Sequence, residues 1–230
     1  IGIFFLIPLI YFYFKIGIKH TKGLFIIFLL ICFQGFLGWY MVSSGLIDKI
    51  DVSHYRLSVH LVVAFIILSL ILWNFFKFYE INQINHKINH LLPKMFIVLI
   101  FIQIIIGAFV SGMDAGKIYN SWPLMGSSYF PDDNSFLDLF SLTAFNDPSL
   151  VQFIHRNLAY FIFFYYLFMF FYVYKKKLYD LYKITNFIGV ILFLQIFLGI
   201  LTIIFGAQII LASMHQISSI FLVSSSIYFI

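Results

Sequence analysis

Across 230 residues, 63% are hydrophobic, 22% aromatic and 10% charged, a balance that excludes an ordinary soluble domain and a disordered chain. The formal charge of +5 does not mark a nucleic-acid partner, because the basic residues fall in the connections between apolar runs. Those runs are as long as a bilayer requires and lack the polar alternation of a membrane barrel, so the chain is expected to be an all-α polytopic membrane protein.

Seven transmembrane helices are expected, over 1–14, 24–42, 57–76, 95–110, 151–174, 184–205 and 208–230. The first, at about 1.5 Å per residue, reaches roughly 21 Å, well short of a hydrocarbon core of about 30 Å. With Ile rather than Met at position 1, this points to an N-terminally incomplete chain. The second helix holds Cys32, the only cysteine, which excludes an intrachain disulfide and reads as a small buried core residue.

The second helix also opens a repeat. Gln34 and Gly38 are followed by His60 on the third helix, Gln103 and Gly107 by His155, and Gln195 and Gly199 by His215. The pentads QGFLG and QIFLG agree at four of five positions, as an internal duplication would leave them. The unit is a four-helix bundle in which Gln/Gly and His helices alternate. The halves are then 1–92 and 93–230, and an even helix number sets them parallel in the membrane. His155 precedes Gln195 by 40 residues, so a matching histidine is expected about six positions before Ile1, on an eighth helix.

The connections alternate in charge. Lys15, Lys19 and Lys22, then Lys77, Lys87 and Lys94, then Lys175, Lys176, Lys177 and Lys183 mark three loops as cytoplasmic, offset only by Glu80 and Asp180. Asp48, Asp51, Asp114, Asp132, Asp133, Asp138 and Asp147 mark the others as outer, which brings His60, His155 and His215 to the outer ends of their helices. The longest polar stretch, 111–149, is dense in turn formers and longer than a simple connection needs, as a cap would be. Within it Asn120, Pro123 and Met125 either cover a cofactor edge or, the favoured reading, serve turn chemistry.

A lone membrane histidine is as often a hydrogen-bonded packing residue as a ligand, but repetition favours ligation. Two neutral imidazoles on facing helices can hold a haem iron from opposite sides. His155 and His215 form such a pair, and His60 belongs to a second site. Arg56 and Arg156 lie beside these histidines, either to meet haem propionates or to anchor helix ends at headgroups. The glutamines are expected to bond between helices, with the glycines permitting close approach. His20, His54, His86 and His90 read as solvated or interfacial.

The strings QGFLGWYMVSSGL (34–46), VSHYRLSVHL (52–61), GMDAGKIYNSWPLMG (112–126), QFIHR (152–156) and MHQ (214–216), in this order, resemble haem A synthase of the branch shared by α-proteobacteria and mitochondria. The resemblance implies an oxidoreductase that converts the C8 methyl group of haem O to the formyl group of haem A, with oxygen from water, for cytochrome oxidase assembly. It implies that His155 and His215 are axial iron ligands of a resident haem b, with Arg156 beside it, and that His60 holds substrate haem. The family's catalytic Glu, three residues before its first histidine, would precede Ile1, so residues 1–230 are expected to keep a cofactor site without turnover. Gln152 occupies the duplicated position of that Glu in neutral form. Implied partners are haem O, an undefined electron acceptor, the bilayer, and haem O synthase or oxidase assembly factors. The implied location is a bacterial inner or mitochondrial inner membrane. A membrane di-haem cytochrome that only relays electrons needs the same histidines, and a transporter would share the duplication.

Overall fold

A computed structural model of the chain describes residues 2–45, 52–78 and 91–229. The described residues form seven α-helices and no strand: α1 (Gly2–Ile16), α2 (Ile18–Gly45), α3 (His54–Phe78), α4 (Leu91–Gly112), α5 (Pro148–Lys175), α6 (Tyr182–Ile204) and α7 (Ile209–Tyr228). Among them α2 to α7 are long and apolar enough to cross a membrane, whereas α1, at 15 residues, is too short by that measure. Six of the seven expected spans meet this measure. Helices α4 to α7 close a ring in which each packs on the next and α7 returns to α4. Helix α3 lies against α4 and α7, α2 against α3, and α1 against α2.

Helix α5 shows why these sequences adopt this packing. Ile162, Tyr166, Met169 and Val173 recur at intervals of three or four and are buried, while Phe161, Phe164, Phe168 and Phe171 recur at the same period on the exposed side. In water such a phenylalanine stripe would be costly; facing acyl chains it is the expected surface. Facing helices complete the core through Phe96 and Ile100 of α4 and Ile188 and Leu192 of α6. Tyr166 buries its ring because its hydroxyl donates to the Thr185 carbonyl at 3.0 Å. Gly189 makes the space, since a Cβ there would collide with that hydroxyl.

Packing corrects the expectation for Cys32 and locates His54 more closely. Cys32 is exposed on α2, because that helix has few buried positions and its small thiol falls on the outward side. His54 is the first residue of α3 and is partly buried, its ring 5.1 Å from Phe109 and 4.1 Å from Tyr55. That position at a helix end fits the interfacial reading of this residue. Asp48, Asp51, Glu80, His86, Lys87 and His90 lie outside the described residues, as does the side chain of His20.

Between α4 and α5 the chain forms an ordered cover built on short 3-10 turns at Ala115–Lys117, Phe136–Phe140 and Leu142–Asn146. Its aspartates act as internal scaffolds. Asp132 accepts hydrogen bonds from Ser128 Oγ at 2.8 Å, Ser127 Oγ at 2.9 Å and Ser127 N at 3.2 Å, and these hold its carboxyl below the usual range. Burial pushes Asp133 upward, yet hydrogen bonds from Ser149, Tyr119 and Asn134 outweigh it and the net shift is down. Asp147 caps α5 by accepting from Leu150 N at 2.9 Å, and Pro148 follows it into the first turn.

Candidate functional site

The sequence repeat becomes a spatial one. In each of the antiparallel pairs α2/α3, α4/α5 and α6/α7, the glutamine of the first helix reaches the histidine of the second. Gln34 Nε2 donates to the His60 carbonyl at 2.9 Å, Gln103 Nε2 to that of His155 at 3.0 Å, and Gln195 Nε2 to that of His215 at 3.0 Å. The same amide nitrogens lie 3.3, 3.3 and 3.5 Å from the ring Nε2 atoms, the long end of hydrogen-bonding distance. The backbone carbonyl is thus the firm partner. The glutamine fixes where the histidine stands while engaging its ring only weakly.

One helical turn along from each glutamine, the glycine accepts the ring edge. A Cβ built on Gly38 would come within 3.2 Å of His60 Cε1, and those on Gly107 and Gly199 within 3.1 Å of His155 and His215 Cε1. Any larger residue would tilt the imidazole. The third cradle has an extra member. Ser218 donates to Gln195 Oε1 and, at 2.9 Å, to the His215 carbonyl. Gln34 Oε1 and Gln103 Oε1 are buried without such a partner. Nothing in the repeat pointed to Ser218, because the matching positions after His60 and His155 are Val63 and Leu158.

Three buried ring atoms, Nδ1 of His60, His155 and His215, have no hydrogen-bond partner. An unpartnered imidazole nitrogen in a membrane interior is costly for a purely structural residue. It suits a ligand to a metal. His155 stands on α5 and His215 on α7, both within the ring of α4 to α7. Among the described residues no compact group of three or more His, Cys, Asp or Glu side chains could chelate an ion.

The cover between α4 and α5 is clamped to α5 by residues on either side of His155 in sequence. Arg156, 6% exposed, donates through Nη1 to the carbonyls of Ser121 at 2.9 Å and Leu124 at 3.3 Å, and through Nη2 to that of Tyr119 at 3.0 Å. Gln152 adds a second bond to the Tyr119 carbonyl at 3.0 Å. Trp122 Nε1 donates to the Tyr160 hydroxyl at 2.8 Å, and the Tyr129 hydroxyl to Asn157 Oδ1 at 2.6 Å. Asn120 ties the same loop to α6 through the Ile203 carbonyl at 2.9 Å. The segment 119–125 is therefore more than turn chemistry. Its carbonyl acceptors are main-chain atoms some thirty residues from Arg156, and no side-chain pattern could have announced them. Pro123, Met125, Tyr129, Phe153 and Arg156 line a shallow, half-open depression too small to hold a water molecule. Arg156 Nε is left without a partner. Arg56, beside the first cradle, lies over the Tyr40 ring at 5.2 Å.

A model of the cytochrome oxidase assembly protein family COX15-CtaA matches residues 1–227. A haem A synthase of Pelagibacter ubique (strain HTCC1062) is 47% identical over 227 residues, covering 98% of this chain and 67% of that protein. Haem A synthases of Rickettsia africae (strain ESF-5) and Rickettsia bellii (strain RML369-C) are 39% and 41% identical, over 99% of this chain and 69% of each relative. By extent and identity alike, the chain belongs to the COX15-CtaA family of cytochrome oxidase assembly proteins.

Proposed function

We propose that this protein is a haem A synthase, as its relatives are named, and that it oxidises the C8 methyl group of substrate haem O to a formyl group. The methyl and one water yield the formyl group with release of four protons and four electrons, so the reaction needs an external electron acceptor. Two halves divide the work, 1–92, with three described helices of an expected four, for substrate and 93–230 for a resident cofactor. The observation that carries this reading is the threefold Gln/Gly/His cradle with an unpartnered Nδ1 in each histidine.

His155 and His215 would hold the iron of a resident haem b. When bound, it supplies one-electron redox capacity at that position. The chain's own residues do the rest. Gln103 and Gln195 fix the two histidine backbones, while Gly107 and Gly199 set the ring tilt. Arg156 keeps a positive charge next to His155 and, through its free Nε, retains one donor for a carboxylate. The 119–125 cover shields the outer end of this pair from water. His60, fixed by Gln34 and Gly38, would hold the substrate haem in the first half. Gln152, buried and bonded to a carbonyl, cannot ionise, which leaves proton-accepting chemistry to the other half. The protein works in the membrane that houses cytochrome oxidase, a bacterial or mitochondrial inner membrane, with haem O synthase or oxidase assembly factors as delivery partners.

The test is complementation. The complete gene, expressed in a strain lacking haem A synthase, should convert extractable haem O to haem A, measured by chromatography of extracted haems. His60→Ala should abolish conversion while leaving the low-spin bis-imidazole spectrum of the purified protein; His155→Ala and His215→Ala should each remove that spectrum. Spectrum without conversion by the wild-type protein would show an electron-relay cytochrome instead.

A further inference from the structure

The outer cover carries an apolar patch that neither the haem reading nor the cradle geometry uses. Over the 3-10 turns Phe136–Phe140 and Leu142–Asn146, Phe136 is 63% exposed, Leu137 77%, Phe140 78% and Leu142 95%. These are the exposures of a lipid-facing helix, yet the segment lies between spans rather than within one. A water-facing loop with four large apolar side chains in seven residues would be an unusual liability.

Charge and position identify what covers it. Between 135 and 146 the only charged side chain is Asp138, and its carboxylate is turned back onto Ser135, accepting from N and Oγ at 2.8 Å each. The rest of the patch is uncharged, and that one carboxylate is engaged locally. The patch also sits at the level where spans end: α5 starts at Pro148, immediately beyond it, and the Tyr55 hydroxyl in the first turn of α3 donates to Asn146 at 2.9 Å. Two chains of ring contacts join it to the spans. Phe153 of α5 touches Phe130 at 5.0 Å, Phe130 touches Phe136 and Phe136 touches Phe140, both at 5.8 Å. On the other side Phe145 meets Phe109 of α4 at 6.1 Å, and Phe109 meets Tyr55 at 5.1 Å. Trp39, Tyr40 and Tyr55, exposed at the same end of α2 and α3, extend this into the aromatic belt expected at a membrane surface.

We infer that residues 136–145 form an interfacial membrane anchor, lying in the headgroup boundary of the outer leaflet with Phe136, Leu137, Phe140 and Leu142 directed into lipid. The cover is held from below by Gln152 and Arg156 and from the side by the bilayer. This inference is independent of any bound haem.

The test places a nitroxide label at Leu142 and, separately, at Leu137 in a Cys32→Ala background, in the full-length protein reconstituted in phosphatidylcholine–phosphatidylglycerol vesicles. Labels at Phe164 on the exposed face of α5 and at Lys117 give the lipid and water references. Collision with oxygen relative to a water-soluble nickel chelate should be several-fold higher at 137 and 142 than at 117, approaching the value at 164. Values equal to those at 117 would overturn the anchor. So would water exposure in vesicles combined with shielding in native membranes, which would assign the patch to a protein partner.

Discussion

The fine control of each histidine rests on two small choices, an amide that donates to the histidine's own carbonyl and a glycine under the ring. Gly199→Ala puts a methyl 3.1 Å from His215 Cε1, tighter than ordinary contact, so the ring must shift by a few tenths of an ångström. The expected result is a displaced haem absorbance and a loss of about 1–2 kcal/mol from overpacking, read by thermal denaturation with the spectrum recorded alongside. Gln103→Ala removes the bond to the His155 carbonyl and should cost on the order of 1 kcal/mol, within the range for interhelical polar contacts in membranes. Gln195→Ala should cost more, because Ser218 also loses an acceptor there. Equal destabilisation by the two would deny Ser218 its part. These residues were legible in the sequence because duplication prints the same pair three times, whereas Ser218 occurs once and was not.

Among the elements, the outer cover depends on donors from α5 and on aspartates within itself. Gln152→Glu replaces the amide donor with a carboxylate facing the Tyr119 carbonyl and offers Arg156 a competing partner one turn away. It should release the 119–125 segment, with a loss of roughly 1–3 kcal/mol in local opening, seen as faster amide exchange. Unchanged protection there would rule out the clamp. A second expectation concerns acid. Asp132 and Asp133 both have lowered carboxyl pKa values, so their contribution is present above the unfolded value, near 3.8, and is lost as pH falls through the lower folded values. Trp122 fluorescence should therefore stay constant from neutral pH to about 5 and change only below about 4, with the low-pH change diminished in Asp133→Asn. A transition near pH 6 would point to a histidine instead.

For the whole molecule, membrane residence is the strongest physical statement, and α5 tests it. Phe168 belongs to an exposed stripe and contributes nothing to the core, so Phe168→Lys should leave helix packing intact while penalising insertion by about 2.5–3.5 kcal/mol. The reading is the membrane-inserted fraction after expression; normal insertion would contradict lipid contact on that face. By itself the sequence determined the helical class, six of the membrane spans, the repeat and the three histidines, because long apolar runs and duplicated motifs are local or periodic signals. The tertiary structure decided what periodicity cannot carry. It turned Cys32 outward, drew His54 into α3, and directed Arg156 onto main-chain carbonyls of a distant loop. It also left Nδ1 of His60, His155 and His215 without a hydrogen-bond partner. The physical reason is that main-chain acceptors and helix rotation depend on which surfaces meet, and hydrophobicity alone cannot say which apolar face turns to protein and which to lipid.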